Sequence, residues 1–362
     1  MAARGFRDGV SGTTGFDAVL FLSFGGPDGP DDVRPFLENV TRGRGVPPER
    51  LDEVAGHYLH FGGVSPINAL NKAMIASIEF ELERIGVDLP VYFGNRNWHP
   101  MVEDTLGRIR ADGHRRVLVF PTSAWGGYSG CRQYDDDIAR ALSALGADAG
   151  DMYLRKLPQY WQHPAMTASW SEAILAAKAV LPEELRDEAR LVFTAHSIPL
   201  SADRAAGPPA DGGQLYSRQV AAASAAAAQA AGFADFDQVW QSRSGPPRIP
   251  WLEPDICDHL VTLCERGTRS VIVCPIGFIS DHLEVVWDLD NEARDQAQEL
   301  GLGYARAATV GTDPRFITMV AGLIAEQCNG DVEFRLGMTA NGAPCAFGCC
   351  EPVKRPVSAE RS

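Results

Sequence analysis

The sequence lacks the features of a membrane protein and of a nucleic-acid-binding protein. It contains no apolar run of about 18 residues, so it predicts no integral membrane segment. Its 33 lysines and arginines stand against 47 aspartates and glutamates, a formal net charge of −14. A nucleic-acid or anionic-membrane partner would need a basic patch, so this balance disfavours both. The amino-terminal residues also lack the layout of a signal peptide, and we expect a cytoplasmic protein.

The phosphate-binding signatures of nucleotide-dependent enzymes are also absent. No GxxxxGK[ST] motif occurs, and no GxGxxG opens a helix after a predicted strand. The eight cysteines do not indicate a disulfide framework, because the cytoplasm keeps thiols reduced. Five are scattered along the chain, as small buried side chains usually are, whereas three lie close together at 345, 349 and 350. That group needs a separate explanation.

Short β-branched and aromatic runs alternate with longer helical stretches, which is typical of parallel βαβ units. The predicted strands are 19–24, 91–95, 116–122, 152–157, 190–195, 236–241, 271–275 and 304–308. The predicted helices include 68–85, 133–145, 164–180, 213–232, 252–266, 281–300 and 313–328. This pattern predicts an α/β chain of two similar Rossmann-like domains, each with a mainly parallel four-stranded sheet flanked by helices. The expected domains are 16–172 and 188–328, followed by a Cys-containing tail at 329–362.

The first segment that carries chemistry is TAHSIP, residues 194–199. His196 directly follows a predicted strand, and open α/β sheets bind ligands beyond the carboxyl ends of their strands. A neutral histidine in that position can accept a proton at neutral pH. A histidine at a strand tip can equally cap a backbone group, and the residues alone leave both interpretations open.

The second segment, GFISDHLEVVWDLDNE at 277–292, is rich in carboxylates. Ser280 or Asp281 can cap the helix predicted to start here. In an α-helix, four of the carboxylates would lie within about 80° of one face. These are Asp281, Glu284, Asp288 and Glu292. A solvated acidic face is one interpretation; the apolar residues around the stripe favour a role in cation delivery or proton relay.

Two glycine-rich segments could form the walls of a binding cleft. In FGGVSPIN, residues 61–68, the paired glycines would let the backbone approach a flat ligand closely. Arg42 and Arg44, upstream of it, could hold carboxylates in the fork geometry of arginine. PTSAWGGYSGCRQY, residues 121–134, follows a predicted strand and suits a wall against a planar ligand. A surface turn explains the first segment as well, and core aromatics explain the second.

Together these segments resemble the ferrochelatase family, whose members insert ferrous iron into a porphyrin. The resemblance runs from FLSFGGP to about Cys328, and TAHSIP and GFISDHLEVVWDLD are its specific motifs, in the expected order. The tail and composition resemble the actinobacterial branch, which uses coproporphyrin III in haem biosynthesis and includes members with a [2Fe–2S] cluster. The resemblance implies a chelatase-like fold, a lyase reaction with Fe²⁺ and coproporphyrin III, and a downstream haem-pathway enzyme as partner.

The resemblance assigns the catalytic pair, and the contacts to Fe²⁺, to His196 and Glu284. A porphyrin loses two pyrrole protons while iron enters, so a base near the macrocycle centre is needed, and a neutral histidine can serve. Asp288 and Glu292 match the family's acidic ladder, which carries protons out or metal in.

The residues matched to porphyrin binding are Phe24, Arg42, Arg44, His57, Tyr58, Ser65 and Tyr134. Two of them depart from the Firmicute members of the family. Phe24 stands in place of a tyrosine that can ligate product iron, and phenylalanine cannot ligate. His57 stands in place of an arginine.

In the cluster-bearing relatives, one remote cysteine and three near the carboxyl end hold the [2Fe–2S] cofactor. The matching thiols are Cys131, Cys345, Cys349 and Cys350. A Cys₄ zinc site needs the same number of ligands, and unliganded exposed thiols would be open to oxidation. Because adjacent Cys349 and Cys350 make a tight geometry, Cys328 is a substitute ligand. Metal insertion needs no redox step, so a cluster would be structural or sensory.

The predicted function is therefore insertion of ferrous iron into coproporphyrin III. The alternatives are a protoporphyrin IX ferrochelatase and a non-catalytic haem- or porphyrin-binding protein on the same scaffold. Membrane-associated members carry an apolar lip around the pocket. No comparable exposed apolar run stands out in this sequence, which favours the substrate with four carboxylates.

Overall fold

The computed structural model describes residues 15–43, 45–245, 248–329 and 348–353. They form two four-stranded parallel sheets flanked by helices, which confirms the predicted fold class. The strands are β1 (Ala18–Ser23), β2 (Val91–Asn95), β3 (Arg116–Pro121), β4 (Tyr153–Lys156), β5 (Arg190–His196), β6 (Asp237–Gln241), β7 (Ser270–Cys274) and β8 (Gly303–Arg306). The helices are α1 (Pro30–Val40), α2 (Pro48–His60), α3 (Ile67–Arg84), α4 (Val102–Ala111), α5 (Gln133–Leu145), α6 (Pro164–Val180), α7 (Glu183–Arg186), α8 (Leu200–Arg204), α9 (Leu215–Ala230), α10 (Ile256–Glu265), α11 (Leu283–Trp287), α12 (Ala293–Glu299) and α13 (Pro314–Asn329).

The two sheets have the same strand order. It is β2-β1-β3-β4 in the first half and β6-β5-β7-β8 in the second, with every neighbouring pair parallel. The strand order reverses beside β1 and beside β5, and a crevice opens at such a point beyond the carboxyl ends of the strands. In the second half, this crevice is bordered by the end of β5, which is His196, and by the segment that follows β7.

Most predicted elements are confirmed, and β2, α5 and α6 have the predicted bounds. The helix predicted over 252–266 instead begins at Ile256, because Asp255 caps it by accepting a hydrogen bond from the backbone N–H of Cys257. Helix α4 follows β2 and was absent from the predicted elements. Of the helices in the described ranges, none combines the length and the apolar character needed to cross a bilayer.

Helices from each half pack against the other half. Helix α6 follows β4 of the first sheet but packs against β7, β8 and α9, and α13 packs against both α3 and α6. The Thr318 hydroxyl in α13 donates to Glu81 of α3 at 3.0 Å. One hydrophobic core therefore contains side chains of both halves. The domain limits at 172 and 188 stay a prediction.

We predict opposite effects on stability for two glycine-to-alanine substitutions. A Cβ at Gly277 would lie 2.7 Å from the Ala195 Cα of β5, so Gly277→Ala should lower the free energy of unfolding by about 1–3 kcal/mol. Gly322, inside α13, has open space where its Cβ would be, so Gly322→Ala should raise it by about 0.5–1 kcal/mol. Urea unfolding measures both. Equal stability of the two variants would contradict the close approach of residue 277 to β5.

Candidate active site

His196 and Glu284 face each other in the crevice of the second sheet. His196 is the last residue of β5, and Glu284 is the second residue of α11, which follows β7. The His196 Nε2 and Glu284 Oε2 atoms are 3.8 Å apart. Their side chains are 35% and 42% exposed, so a ligand in the crevice can reach both. The structure thus brings together two residues that are 88 positions apart in the sequence.

The hydrogen bond of His196 determines which ring nitrogen is basic. Nδ1 lies 2.5 Å from the carbonyl oxygen of Ser197. A carbonyl only accepts, so Nδ1 carries the proton and Nε2 keeps its lone pair on the side of Glu284. The buried Tyr216 hydroxyl donates to the His196 carbonyl at 2.9 Å and holds the strand end. One nitrogen therefore makes the contact expected of a capping histidine, and the other is available for chemistry.

The acidic helix differs from the predicted one in its start and in its winding. It begins at Leu283 rather than at 281, and residues 288–292 form a π-turn between α11 and α12. The expectation that Ser280 or Asp281 caps it is wrong. The Ser280 hydroxyl is buried and finds no partner among the described residues, and Asp281 accepts two hydrogen bonds from Arg306. Asp281 therefore does not belong to the carboxylate stripe.

Asp288 is held by the last residue of β6, Gln241, and by Ser242, which follows it. Its Oδ2 atom accepts hydrogen bonds from the Gln241 amide at 3.1 Å and from the Ser242 hydroxyl. Burial raises the pKa of Asp288 to about 7; the Ser242 hydroxyl opposes this shift and the charge of Glu284 adds to it. Ser242 has a φ of +60°, a strained conformation typical of functional sites. The carboxyl group can therefore take up and release a proton at neutral pH.

Helix α2 of the first half covers the acidic helix. The His57 ring stacks on the Trp287 ring with centroids 3.9 Å apart and planes at 6°. Tyr58 is buried beside Glu284 and Asp288: burial, with the charges of these two carboxylates, keeps its pKa well above the ordinary value. Burial lowers the pKa of His57. Two predicted porphyrin contacts, His57 and Tyr58, thus lie next to the predicted catalytic residues.

The other predicted porphyrin contacts lie in the first half. Phe24 follows β1 and is 37% exposed. Arg42 lines a pocket of about 520 Å³ between α1 and residues 98–101, to which neither His196 nor Glu284 contributes. Ser65 and Tyr134 are buried, and the Tyr134 hydroxyl is 3.4 Å from the Thr122 hydroxyl. Residue 44 lies outside the described residues.

Arg96 is a charged residue of this region that the sequence analysis missed. Its guanidinium carbon lies 4.4 Å from the centre of the Tyr134 ring and 5.9 Å from that of Phe24. Arg96 Nε is 2.5 Å from Asp137 Oδ2, and the arginine side chain is almost fully buried. Its position directly after β2, at a strand end, is the signal that could have identified it.

Comparison with known proteins identifies the family. Residues 16–328 match the family model described as Ferrochelatase. The chain belongs to the ferrochelatase family. It is therefore an enzyme that inserts a metal into a porphyrin.

Curated relatives and one solved structure agree with this membership. The "Coproporphyrin III ferrochelatase" of Nocardia farcinica is 63% identical over 351 residues, covering 95% of this chain and 99% of the relative. That of Mycobacteroides abscessus is 59% identical over 344 residues, covering 92% and 98%. The structure "SirB from Bacillus subtilis with Fe3+" aligns with a TM-score of 0.52 at 12% identity, covering 88% of this chain and 98% of that one. That likeness concerns the fold alone.

The edge of this ferrochelatase crevice carries exposed apolar side chains. Leu59 and Val64 are 51% and 47% exposed, and Phe61 between them, also exposed, has its ring centre 6.2 Å from that of Trp287. These exposed side chains are separate from one another in the sequence, whereas the sequence analysis considered only a continuous apolar run. Histidine and glycine residues separate them in the sequence, so no continuous run reveals them.

The described cysteines place two thiols side by side. Cys349 and Cys350 are buried with their sulfur atoms 3.6 Å apart, and Cys350 Sγ accepts a hydrogen bond from the Gly207 N–H. Two thiolates on one tetrahedral metal would be about 3.8 Å apart, so this pair fits a shared metal. Among the described residues, no three His, Cys, Asp or Glu side chains form a metal-binding group, and Cys345 lies outside those residues.

Cys131 lies in a second π-turn, residues 128–132, directly before α5. It is buried, and the ammonium group of Lys156 is 3.4 Å from its sulfur. The pKa of Arg132, the next residue, is raised chiefly by its hydrogen bond to Asp136 and also by the charge of Glu351. Glu351 directly follows Cys350, so the described part of the tail lies near this turn. Cys328 is half-buried and packs against the shared core.

We predict that Asp288→Asn makes stability depend differently on pH. The pKa of Asp288 is about 7 in the folded chain and about 3.9 in an unfolded one, so the folded chain binds the proton more tightly. That contribution to stability is complete below pH 4 and is lost as the pH rises through 7. The free energy of unfolding of the variant relative to the original chain should therefore increase between pH 4 and pH 7.

Urea unfolding at a series of pH values checks this, with Glu299→Gln as the control. Glu299 is an exposed carboxylate on α12. Glu299→Gln therefore removes a carboxylate that is not buried in the folded chain. A parallel pH trend in the two variants would contradict the assignment of a buried, proton-holding carboxyl group to Asp288.

Proposed function

We propose that this enzyme inserts ferrous iron into coproporphyrin III and forms Fe-coproporphyrin in haem biosynthesis. The observation that carries the proposal is the pair formed by His196 Nε2 and Glu284 Oε2, 3.8 Å apart at the switch point of the second sheet. The names of relatives that are 56–63% identical support the choice of porphyrin. We further propose that the enzyme works in the cytoplasm and that a later haem-pathway enzyme receives its product.

His196 is the first proton acceptor in this proposal. A free-base porphyrin gives up two N–H protons as its four nitrogens bind Fe²⁺, so the protons must leave from the macrocycle centre. The lone pair of His196 Nε2 accepts the first one, because Nδ1 already donates to Ser197, and it accepts the second after the first has left towards the carboxylates. The Glu284 carboxylate, 3.8 Å away, stabilises the imidazolium that forms.

Asp288 and Glu292 continue the route from the site to solvent. The pKa of Asp288, about 7, lets its carboxyl group accept a proton and release it at neutral pH. Gln241 and Ser242 hold this carboxyl group in place. Glu292, at the end of the π-turn, is exposed and can pass the proton to water. The same residues would bring Fe²⁺ inward, because carboxylate and imidazole ligands bind Fe²⁺ without the high affinity reserved for Cu²⁺.

The porphyrin lies between the two halves in this proposal. His57 and Tyr58 on α2, and Phe24 after β1, would form one wall, and Phe24 supplies an exposed ring for stacking but no iron ligand. Arg42 and Arg44 would bind propionate groups. Ser65 and Tyr134 are buried and would support the cleft wall from behind.

The test compares two porphyrins under anaerobic conditions. We expect faster Fe²⁺ insertion into coproporphyrin III than into protoporphyrin IX. His196→Ala should lose about 10²–10⁴-fold in kcat, because general-base catalysis contributes about that much. Its porphyrin affinity, measured by fluorescence quenching, should stay close to that of the original chain.

His114→Ala is the matched control, since His114 lies on the first half beside Tyr92 and Asp17. Undiminished insertion by His196→Ala would refute the assignment of the base. A preference for protoporphyrin IX would refute the substrate, and porphyrin binding without insertion by the original chain would favour the non-catalytic binder.

We also propose a [2Fe–2S] cluster held by Cys131, Cys345, Cys349 and Cys350. The buried pair of sulfur atoms 3.6 Å apart supports it, as does the ammonium group of Lys156 beside Cys131, which favours a thiolate. Thiolates are the ligands such clusters require. These residues would tie the tail to the π-turn before α5, and no step of metal insertion depends on them.

Cluster content can be measured directly on anaerobically purified protein. We expect brown protein with iron and acid-labile sulfide in a 1:1 ratio. Cys350→Ser should abolish the visible absorption, whereas Cys264→Ser, a half-buried cysteine of α10, should retain it. Colourless protein with one zinc per chain would instead support the Cys₄ zinc site. Loss of colour in Cys328→Ser but not in Cys345→Ser would make Cys328 the fourth ligand.

A further inference from the structure

The segment from 281 to 292 contains carboxylates of two kinds. Arg306, the last residue of β8, donates through Nη1 and Nη2 to both oxygens of Asp281, at 3.1 and 3.0 Å. It donates through Nε and Nη2 to both oxygens of Asp290, at 2.7 and 2.8 Å. One guanidinium therefore binds two carboxylates, each through two hydrogen bonds, which is the most directional geometry available to an arginine.

The two carboxylates flank the residues that face the crevice. Asp281 precedes Glu284 by three residues and lies before the start of α11, and Asp290 lies inside the π-turn, two residues after Asp288. Tyr304, also on β8, donates its hydroxyl to the carbonyl of Leu289 at 2.9 Å. The end of β8 thus holds the segment on both sides of Glu284 and at the π-turn.

The remaining carboxylates have no cationic partner of this kind. Within the described ranges, no lysine or arginine forms an ion pair with Glu284, Asp288 or Glu292. The Arg306 side chain is only 16% exposed, so its charge acts in a low-dielectric environment, where it is strong. The structure separates five carboxylates into a pair that Arg306 binds, which anchors the segment, and a set of three that Arg306 does not bind.

Other ionisable groups also face this segment. His196 approaches from β5, and His57 and Tyr58 approach from α2. Cys257 of α10 lies near Asp288 and Glu292; burial raises its pKa to about 12, so it stays neutral. Losing the charge of Arg306 would leave Asp281 and Asp290 uncompensated and would make the potential at Glu284, Asp288 and His196 more negative.

We propose that Arg306 is a positioning residue of the metal-insertion reaction, fixing Glu284 and Asp288 opposite His196 through its fork on Asp281 and Asp290. It touches neither the porphyrin nor the metal. Only the kinetic test of this proposal depends on the proposed function. Its structural readout, the order of residues 281–292, is independent of activity.

The test uses Arg306→Gln, Arg306→Lys and the control Arg294→Gln. Arg294 lies on α12 and pairs with Asp295 at the surface, so the control removes the same charge from the same neighbourhood without releasing the segment. We expect Arg306→Gln to lower kcat by about 10²-fold, since a displacement of about 1 Å can cost that much, while porphyrin affinity stays unchanged. The acidic limb of its kcat–pH profile should move to higher pH, because uncompensated carboxylates favour protonation of their neighbours.

Arg306→Lys distinguishes the effect of the positive charge from the effect of the paired hydrogen bonds to the two carboxylates. A lysine keeps the positive charge but cannot bind two carboxylates in the same plane, so kcat should fall while the acidic limb stays near that of the original chain. If Arg306→Gln does not fold, Arg306→Lys still tests the proposal. Hydrogen exchange of residues 281–292 should be faster in both variants and unchanged in Arg294→Gln.

Unchanged exchange in both Arg306 variants would overturn the proposal whatever the activity. Normal kcat and an unshifted pH profile in Arg306→Gln, with an active original chain, would also overturn it. An inactive original chain with faster exchange in the variants would instead count against the proposed function and leave the anchoring role supported.

Discussion

Mutual repulsion among five carboxylates within residues 281–292 is the constraint on which the rest of the site depends. Each strand of the second sheet leads into the acidic segment or supplies or precedes a residue that contacts one of its carboxylates. β7 leads into the acidic segment, β5 supplies His196, β6 is followed by Ser242, and β8 supplies Arg306. Because all strands are parallel, their carboxyl ends meet at one edge of the sheet, and this arrangement is available only there.

The first half of the chain covers this arrangement, and none of its described residues takes part in the ion pairs of Arg306. The stacked rings of His57 and Trp287 join α2 to the acidic helix, and Leu283 of that helix shares a hydrophobic cluster with Phe36 of α1 and Tyr58 of α2. Neutral aromatic side chains are suited to this position, since they exclude water without adding charge. Asp288 lies near Tyr58, and burial is the main cause of its high pKa.

Sequence reasoning succeeded where one strand end determines a residue's position. His196 at the end of β5 and the carboxylate-rich segment after β7 could be predicted to lie at the same edge of the sheet, because the carboxyl ends of parallel strands share one edge. Asp281 could not be assigned, because its role depends on Arg306, 25 residues later and on another strand. The π-turn at 288–292 could not be predicted either, because the sequence analysis assumed a regular helix of 3.6 residues per turn. Tyr134 looked like a cleft residue, yet its side chain fills the core of the first half.

The exchange of helices between the halves has a consequence for biosynthesis. The hydrophobic side of α3 is covered by α13, and about 230 residues separate the end of one from the start of the other. At ribosomal speeds, roughly ten to fifty seconds pass before the covering helix emerges. Until then, the side chains of α3 that α13 covers lack these native contacts, so this part of the shared core forms only after α13 has been synthesised.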